Sequence, residues 1–218
     1  MIRQSIAMAI CLFSYKYLLR RNFIKYVLII LIAGMFHYSA FILLPLYFIV
    51  KIDINPRSLF ILVLLWLVGL FGAMKLLNLF GPLMGKYALY LTNSAEMQGR
   101  GIKNLALPMA VFLTGYLFRK QLYKINPSNR MLITISFFAL VATSVQLKIG
   151  IFERVSLYYN ILNIFLLVQI PQCFCGVKQK LFAFIVIGMC AVSYNFYSFY
   201  FNFHDVLPYA SVLSGILN

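Results

Sequence analysis

The chain has 218 residues, 63% of them hydrophobic and only 11% charged, with 19 Lys and Arg against 4 Asp and Glu. Soluble domains are about half apolar and about a quarter charged, so this composition excludes an ordinary water-soluble domain and predicts an all-α, polytopic transmembrane helix bundle. The net charge of +15 has no compact basic module with interleaved aromatics to carry it. That argues against nucleic acid as a partner and for basic loops held on the cytoplasmic side of a bilayer.

The apolar runs are continuous rather than alternating, which selects helices over a membrane barrel. The first runs from Ile2 to Leu19. It carries Arg3 and lacks the basic leader and small-residue cleavage site of a signal peptide, so it is expected to stay as a span. A basic cluster follows: Lys16, Arg20, Arg21 and Lys25. A second stretch, Tyr26 to Val50, is interrupted by Phe36-His37-Tyr38-Ser39 and then by Pro45. Asn55 before Pro56 has the form of a helix cap followed by a first helical position, opening a span from Ser58 to Met74. Residues 75–101 lean polar. Further spans are predicted from Lys103 to Phe118, Met131 to Leu147, Arg154 to Ile170 and Leu181 to Tyr200. The turn Asn126-Pro127-Ser128 precedes the second of these. Together they make about eight membrane segments in a single domain over 1–218, with a short helical hairpin near 26–50.

That hairpin is a choice made by charge. One tilted helix could cover 26–50, or the chain could go out and return with His37 at the outer turn. A hairpin puts twelve basic residues inside, at 16, 20, 21, 25, 51, 57, 119, 120, 124, 130, 178 and 180, and seven outside. A single helix divides the same residues ten to nine. The positive-inside rule prefers the hairpin. The amino terminus then lies outside, as do Glu96, Glu153 and Asp205. An outside start without a leader is expected of a chain whose relatives continue upstream.

Ionisable groups in or beside a bilayer are expensive and are candidate functional residues. Arg3, followed by Gln4 and Ser5, is either an interface anchor that snorkels to the headgroups or a ligand for an anion. His37 is either a neutral hydrogen-bonded cap or a general acid/base. Arg154, between Glu153 and Tyr158, is either neutralised by its neighbour or a bidentate phosphate ligand. Arg100, in the flexible segment Gln98-Gly99-Arg100-Gly101 before a span, is a solvated loop residue or a functional cation. Tyr87 and Tyr90 share a helical face, and Tyr194, Tyr197 and Tyr200 recur at spacing of three. Such tyrosines are an interfacial belt or a platform for sugar rings.

Cys11 and Cys190 fall in apolar runs and have the character of small hydrophobes. Cys173 and Cys175 form an isolated C-x-C, too little for a metal site. No phosphate-binding loop, dinucleotide fingerprint, zinc-binding pair or nucleophile elbow is present, so no cofactor is indicated.

Read together, Ile2-Arg3-Gln4-Ser5-Ile6-Ala7, the basic turn, Phe36-His37-Tyr38-Ser39-Ala40 with Leu44-Pro45-Leu46, then Glu153-Arg154-Val155 through Tyr158-Tyr159, Ile170-Pro171 and Leu207-Pro208-Tyr209 resemble the EpsG-like group of Wzy-type polysaccharide polymerases. The resemblance covers nearly the whole chain and matches the carboxy-terminal portion of a longer architecture. It implies a glycosyltransferase in the bacterial cytoplasmic membrane that joins undecaprenyl-diphosphate-linked repeat units at the outer face, making exopolysaccharide or O-antigen. Its partners would be that lipid-linked glycan, membrane lipids and other polysaccharide assembly proteins. On this reading Arg3 and Arg154 hold the diphosphate and His37 accepts the proton. Gln4, Tyr158 and Arg100, with the Tyr87 and Tyr90 platform, position sugar or phosphate. The alternatives are a shortened, non-catalytic fragment of such a polymerase and a transporter or flippase for lipid-linked sugars. The echo of Ile54-Asn55-Pro56 in Ile125-Asn126-Pro127 is the one hint of the internal repeat common in transporters.

Overall fold

The structure is a computed structural model that describes residues 2–80 and 101–200, and the described residues are helical with no strand. It divides into two compact units, Met1–Cys173 and Phe174–Asn218.

In the first unit, α1 (Ile2–Leu19) and α2 (Phe23–Phe36) form an antiparallel pair. The buried face of α1 is Ala7, Cys11, Ser14 and Leu18, spaced at helical intervals. That of α2 includes Tyr26, Ile30 and Ala33. Asn22 caps α2 by accepting the Lys25 amide at 3.1 Å. The turn between them places Arg21 at φ 55°, a left-handed conformation rare for a residue with a Cβ. Tertiary bonds hold it there. Arg21 Nη1 donates to the Tyr47 carbonyl at 3.1 Å, and Tyr47 Oη donates to the Arg21 carbonyl at 2.7 Å.

Those bonds also show the path of residues 26–50. Helix α2 stops at Phe36, His37 is extended at φ −155° and ψ 117°, and a 3-10 segment, Tyr38–Leu43, turns back. Pro45 then leads into the short α3 (Leu46–Ile49). Tyr26 Oη donates to the Leu43 carbonyl at 2.5 Å, so the return runs alongside α2. Gly34 makes this possible: a Cβ there would run into the Phe41 ring of the returning segment.

Helix α4 (Pro56–Phe80) begins on the Asn55 cap, whose Oδ1 accepts the amides of Arg57 at 3.0 Å and Ser58 at 2.9 Å. Next come α5 (Ala106–Leu117) and α6 (Arg119–Ile125), then α7 (Asn129–Gln146). Helix α7 is buried on nearly every side and serves two cores. Its Ile135, Ala139 and Ala142 join Ala7, Cys11, Tyr26, Ile30, Leu43 and Tyr158. Its Leu132, Ile133, Phe137 and Leu140 join Val111, Phe112, Leu122 and Leu166.

The predicted span from Arg154 to Ile170 is two helices, α8 (Glu153–Asn160) and α9 (Asn163–Gln169). Between them the backbone tightens to three-residue hydrogen bonds, from the Leu162 amide to the Tyr159 carbonyl at 3.2 Å and from Phe165 to Leu162 at 3.2 Å. The second unit contains α10 (Val177–Tyr200), whose segment Val177–Tyr194 has no buried residue. It and α7 are long and apolar enough to cross a membrane by length and composition. Shorter apolar helices span Phe23–Phe36, Tyr38–Ile49, Pro56–Gly72 and Ile102–Leu117.

Candidate functional site

One end of the first unit collects residues from three distant parts of the chain. Gln4 stands in the first turn of α1. Its amide Nε2 donates to the Arg154 carbonyl at 3.2 Å, joining positions 150 apart in sequence. Arg154 opens α8 because the 3-10 turn Gly150–Phe152 has just reversed the chain after α7. His37 ends α2, its amide donating to the Ala33 carbonyl at 3.0 Å. Its Nε2 lies 3.3 Å from Ser39 Oγ. Arg3 is exposed beside Gln4, whereas His37 and Arg154 are half-buried.

His37 is electrostatically coupled to Arg154. Partial burial, and then the Arg154 guanidinium, hold the imidazole below its ordinary pKa. The ring is therefore neutral at neutral pH, and one of its nitrogens carries a lone pair that can take a proton. Cationic guanidinium and neutral imidazole at one helix end suit an anionic leaving group and a hydroxyl nucleophile.

Tyr158 lies one turn below Arg154, on the same face of α8. It does not reach the surface. It is fully buried in the core with Ala7 and Cys11, and its hydroxyl has no hydrogen-bond partner among the described residues. Sequence spacing placed it correctly around the helix but could not give its depth. Arg100, Tyr87 and Tyr90 lie outside the described residues, as do Glu96 and Asp205. Among the described residues, no group of three His, Cys, Asp or Glu side chains is placed to hold a metal ion.

Two polar clusters went unread in the sequence. The first joins α7 to α8. Ser156 Oγ donates to Gln146 Oε1 at 2.6 Å, and Asn160 Nδ2 donates to Thr143 Oγ1 at 2.8 Å. Asn163 Nδ2 extends the chain to Asn160 Oδ1 at 3.3 Å. The signal was present as one-turn spacings, 143 with 146 and 156 with 160, inside otherwise apolar spans. The second cluster gathers at the opposite end. Arg130 Nη1 is 3.6 Å from Asp53 Oδ2, and Tyr123 Oη donates to Asp53 Oδ1 at 3.2 Å. Burial first, and then the Asp53 carboxylate, push the Tyr123 hydroxyl up to about 12. Thr134 Oγ1 donates to the Ile52 carbonyl at 2.8 Å, fixing the same loop.

No curated protein and no solved structure matches the chain. The family comparison is decisive by contrast. The model of the EpsG family matches residues 1–211, which takes in every residue of the cationic end described above. The chain belongs to the EpsG family of membrane proteins of polysaccharide biosynthesis.

Proposed function

We propose that this protein is a membrane polysaccharide polymerase that transfers a growing glycan from its polyprenyl diphosphate onto the next lipid-linked repeat unit. The observation that carries the reading is the meeting of Gln4, His37 and Arg154 at one end of the first unit, through the 3.2 Å bond from Gln4 to the Arg154 carbonyl and the field of Arg154 on His37. The acceptor sugar hydroxyl attacks the anomeric carbon of the donor. The bond from that carbon to the diphosphate oxygen breaks, and the polyprenyl diphosphate leaves with its electron pair. The hydroxyl proton passes to the neutral His37 imidazole. Arg3 and Arg154 stabilise the charge that grows on the departing diphosphate, where a preorganised cation is most effective. Gln4 holds Arg154 in place. Arg100, with Tyr87 and Tyr90, contacts sugar or phosphate. Tyr158, being buried, supports Arg154 from below.

The membrane arrangement belongs to the same proposal. The chain is a multi-pass bundle of the bacterial cytoplasmic membrane with its amino terminus and cationic site outside. Two features support this orientation. Lys51 and Arg57 flank Asp53 in sequence, Arg130 pairs with it and Arg119 acts on Tyr123 beside it, and positive loops face the cytoplasm. The hydrogen bonds from Arg21 and Tyr26 fold residues 38–49 back along α2, so the chain returns to the side of Arg21.

The test is polymer assembly in membranes supplied with lipid-linked repeat units. Arg154→Ala and His37→Ala at normal abundance are expected to stop at single repeats. Long polymer from both variants would overturn the assignment. A flippase reading draws on the interruptions of helix at His37 and at 161–162, since discontinuous helices are common in transporters. A deletion strain separates the two: a flippase defect leaves repeat units on the inner face, and a polymerase defect leaves short glycan at the surface.

A further inference from the structure

Helix α8 carries Arg154 but has only eight residues. Two turns of isolated helix are not stable by themselves, so the orientation of α8 must come from what it touches. Nor does it inherit its rotation from a longer helix, because a 3-10 turn precedes it and the tightened backbone at 161–162 follows it.

Two faces hold it. Arg154 and Tyr158, one turn apart, face α1: the Arg154 carbonyl takes the Gln4 amide, and Tyr158 packs with Ala7 and Cys11. Ser156 and Asn160, also one turn apart, face α7. They pair in antiparallel order with Gln146 at 2.6 Å and Thr143 at 2.8 Å. Thr143, Gln146 and Ser156 are 1%, 3% and 2% exposed. Apolar contact alone would let a short helix rotate or slide among similar packings. Directional hydrogen bonds in a buried, apolar setting distinguish one rotation from its neighbours, which lie about 100° away per residue.

We propose that Gln146 and Thr143 are positioning residues that, through Ser156 and Asn160, set the rotation of α8 and hold Arg154 at the Gln4–His37 end. Its consequence for activity rests on the polymerase reading above; its structural content does not.

The experiment uses the full chain in native membranes with its four native cysteines replaced by alanine. Gln4→Cys and Arg154→Cys are introduced together, and their coupling by a short thiol cross-linker is timed. Thr143→Val and Gln146→Met remove the polar atom at similar volume, while Thr143→Ser keeps it. Each removal is expected to slow cross-linking by about tenfold or more at unchanged abundance, since a neighbouring rotation of α8, about 100° away, carries position 154 off the face it shares with position 4. Thr143→Ser is expected to match the parent. Unchanged cross-linking in both removal variants would overturn the proposal, and so would equal slowing by Thr143→Ser. If one removal variant fails to accumulate, the other carries the test. A second arm makes the same changes in the chain that retains Gln4 and Arg154, and reads polymer length. Slowed cross-linking with undiminished polymer would uphold the positioning role and overturn the part that the proposed reaction gives to Arg154.

Discussion

The two ends of the first unit use arginine differently. At the Asp53 end, Arg130 meets a carboxylate at 3.6 Å and lies over the Tyr123 ring at 5.0 Å. Arg130 there joins the loop 51–55 to α6 and α7. At the other end partial burial, and then the Arg154 guanidinium, lower the pKa of His37, with Arg3 and Gln4 alongside. The first arrangement completes itself. The second sets a cationic field beside an imidazole, and the proposed reaction would use the pair for a diphosphate and a sugar hydroxyl. Positive charge is abundant in this chain, and the informative property is the company each arginine keeps.

The largest effect expected from breaking this contrast is at Arg154. Arg154→Ala should cut polymer formation by about 10²- to 10³-fold, the scale of losing a preorganised electrostatic contact. Arg154→Lys should recover part of it, since a point charge replaces a bidentate fork. Chain-length analysis of the glycan at matched protein abundance measures both.

The pH profile sharpens the same comparison. His37 has a lowered pKa and acts as a neutral base in the proposed reaction, so polymerisation should be level at neutral pH and fall only as pH drops below the ordinary histidine value of about 6.5. Weakening the cation by Arg154→Gln should move that acid limb to higher pH. Rate measurements on membranes across pH 5 to 8 check the direction.

Smaller effects belong to the frame that holds the ends apart. Gly34→Ala should destabilise by about 1–3 kcal/mol, because the new methyl group meets the Phe41 ring and overpacks the return from His37. Asn55→Ala removes the cap of α4 and should cost about 1 kcal/mol. Asp53→Asn should be smallest, below about 1 kcal/mol, because its ion pair with Arg130 is 43% and 55% exposed. Thermal inactivation in detergent ranks the three.

Much of this was legible in the sequence, for identifiable reasons. The bounds of α1 follow from an apolar run ended by Arg20-Arg21, and Asn55-Pro56 announced a cap that the hydrogen bonds contain. The reversal at His37 was legible through charge counting rather than local propensity, since Phe36 and Tyr38 would fit a continuous helix equally well. The division at Ile161–Leu162 left no mark, because a few tightened backbone bonds inside an apolar run change neither composition nor charge. The burial of Tyr158 was hidden for a related reason. Spacing of four shows that two residues share a face but gives no depth, and α8 carries Arg154 at the edge and Tyr158 in the core. The ladder from Thr143 and Gln146 to Asn160 and Ser156 depends on which two helices become neighbours, a tertiary fact.

The central claim is that the His37 end performs the reaction and the Asp53 end does not. The direct measurement is the surface-glycan ladder of cells carrying His37→Ala or Asp53→Asn as their sole copy, at equal membrane abundance. The account predicts single repeats from His37→Ala and a full ladder from Asp53→Asn. A full ladder from His37→Ala, or equal loss from both, would contradict it.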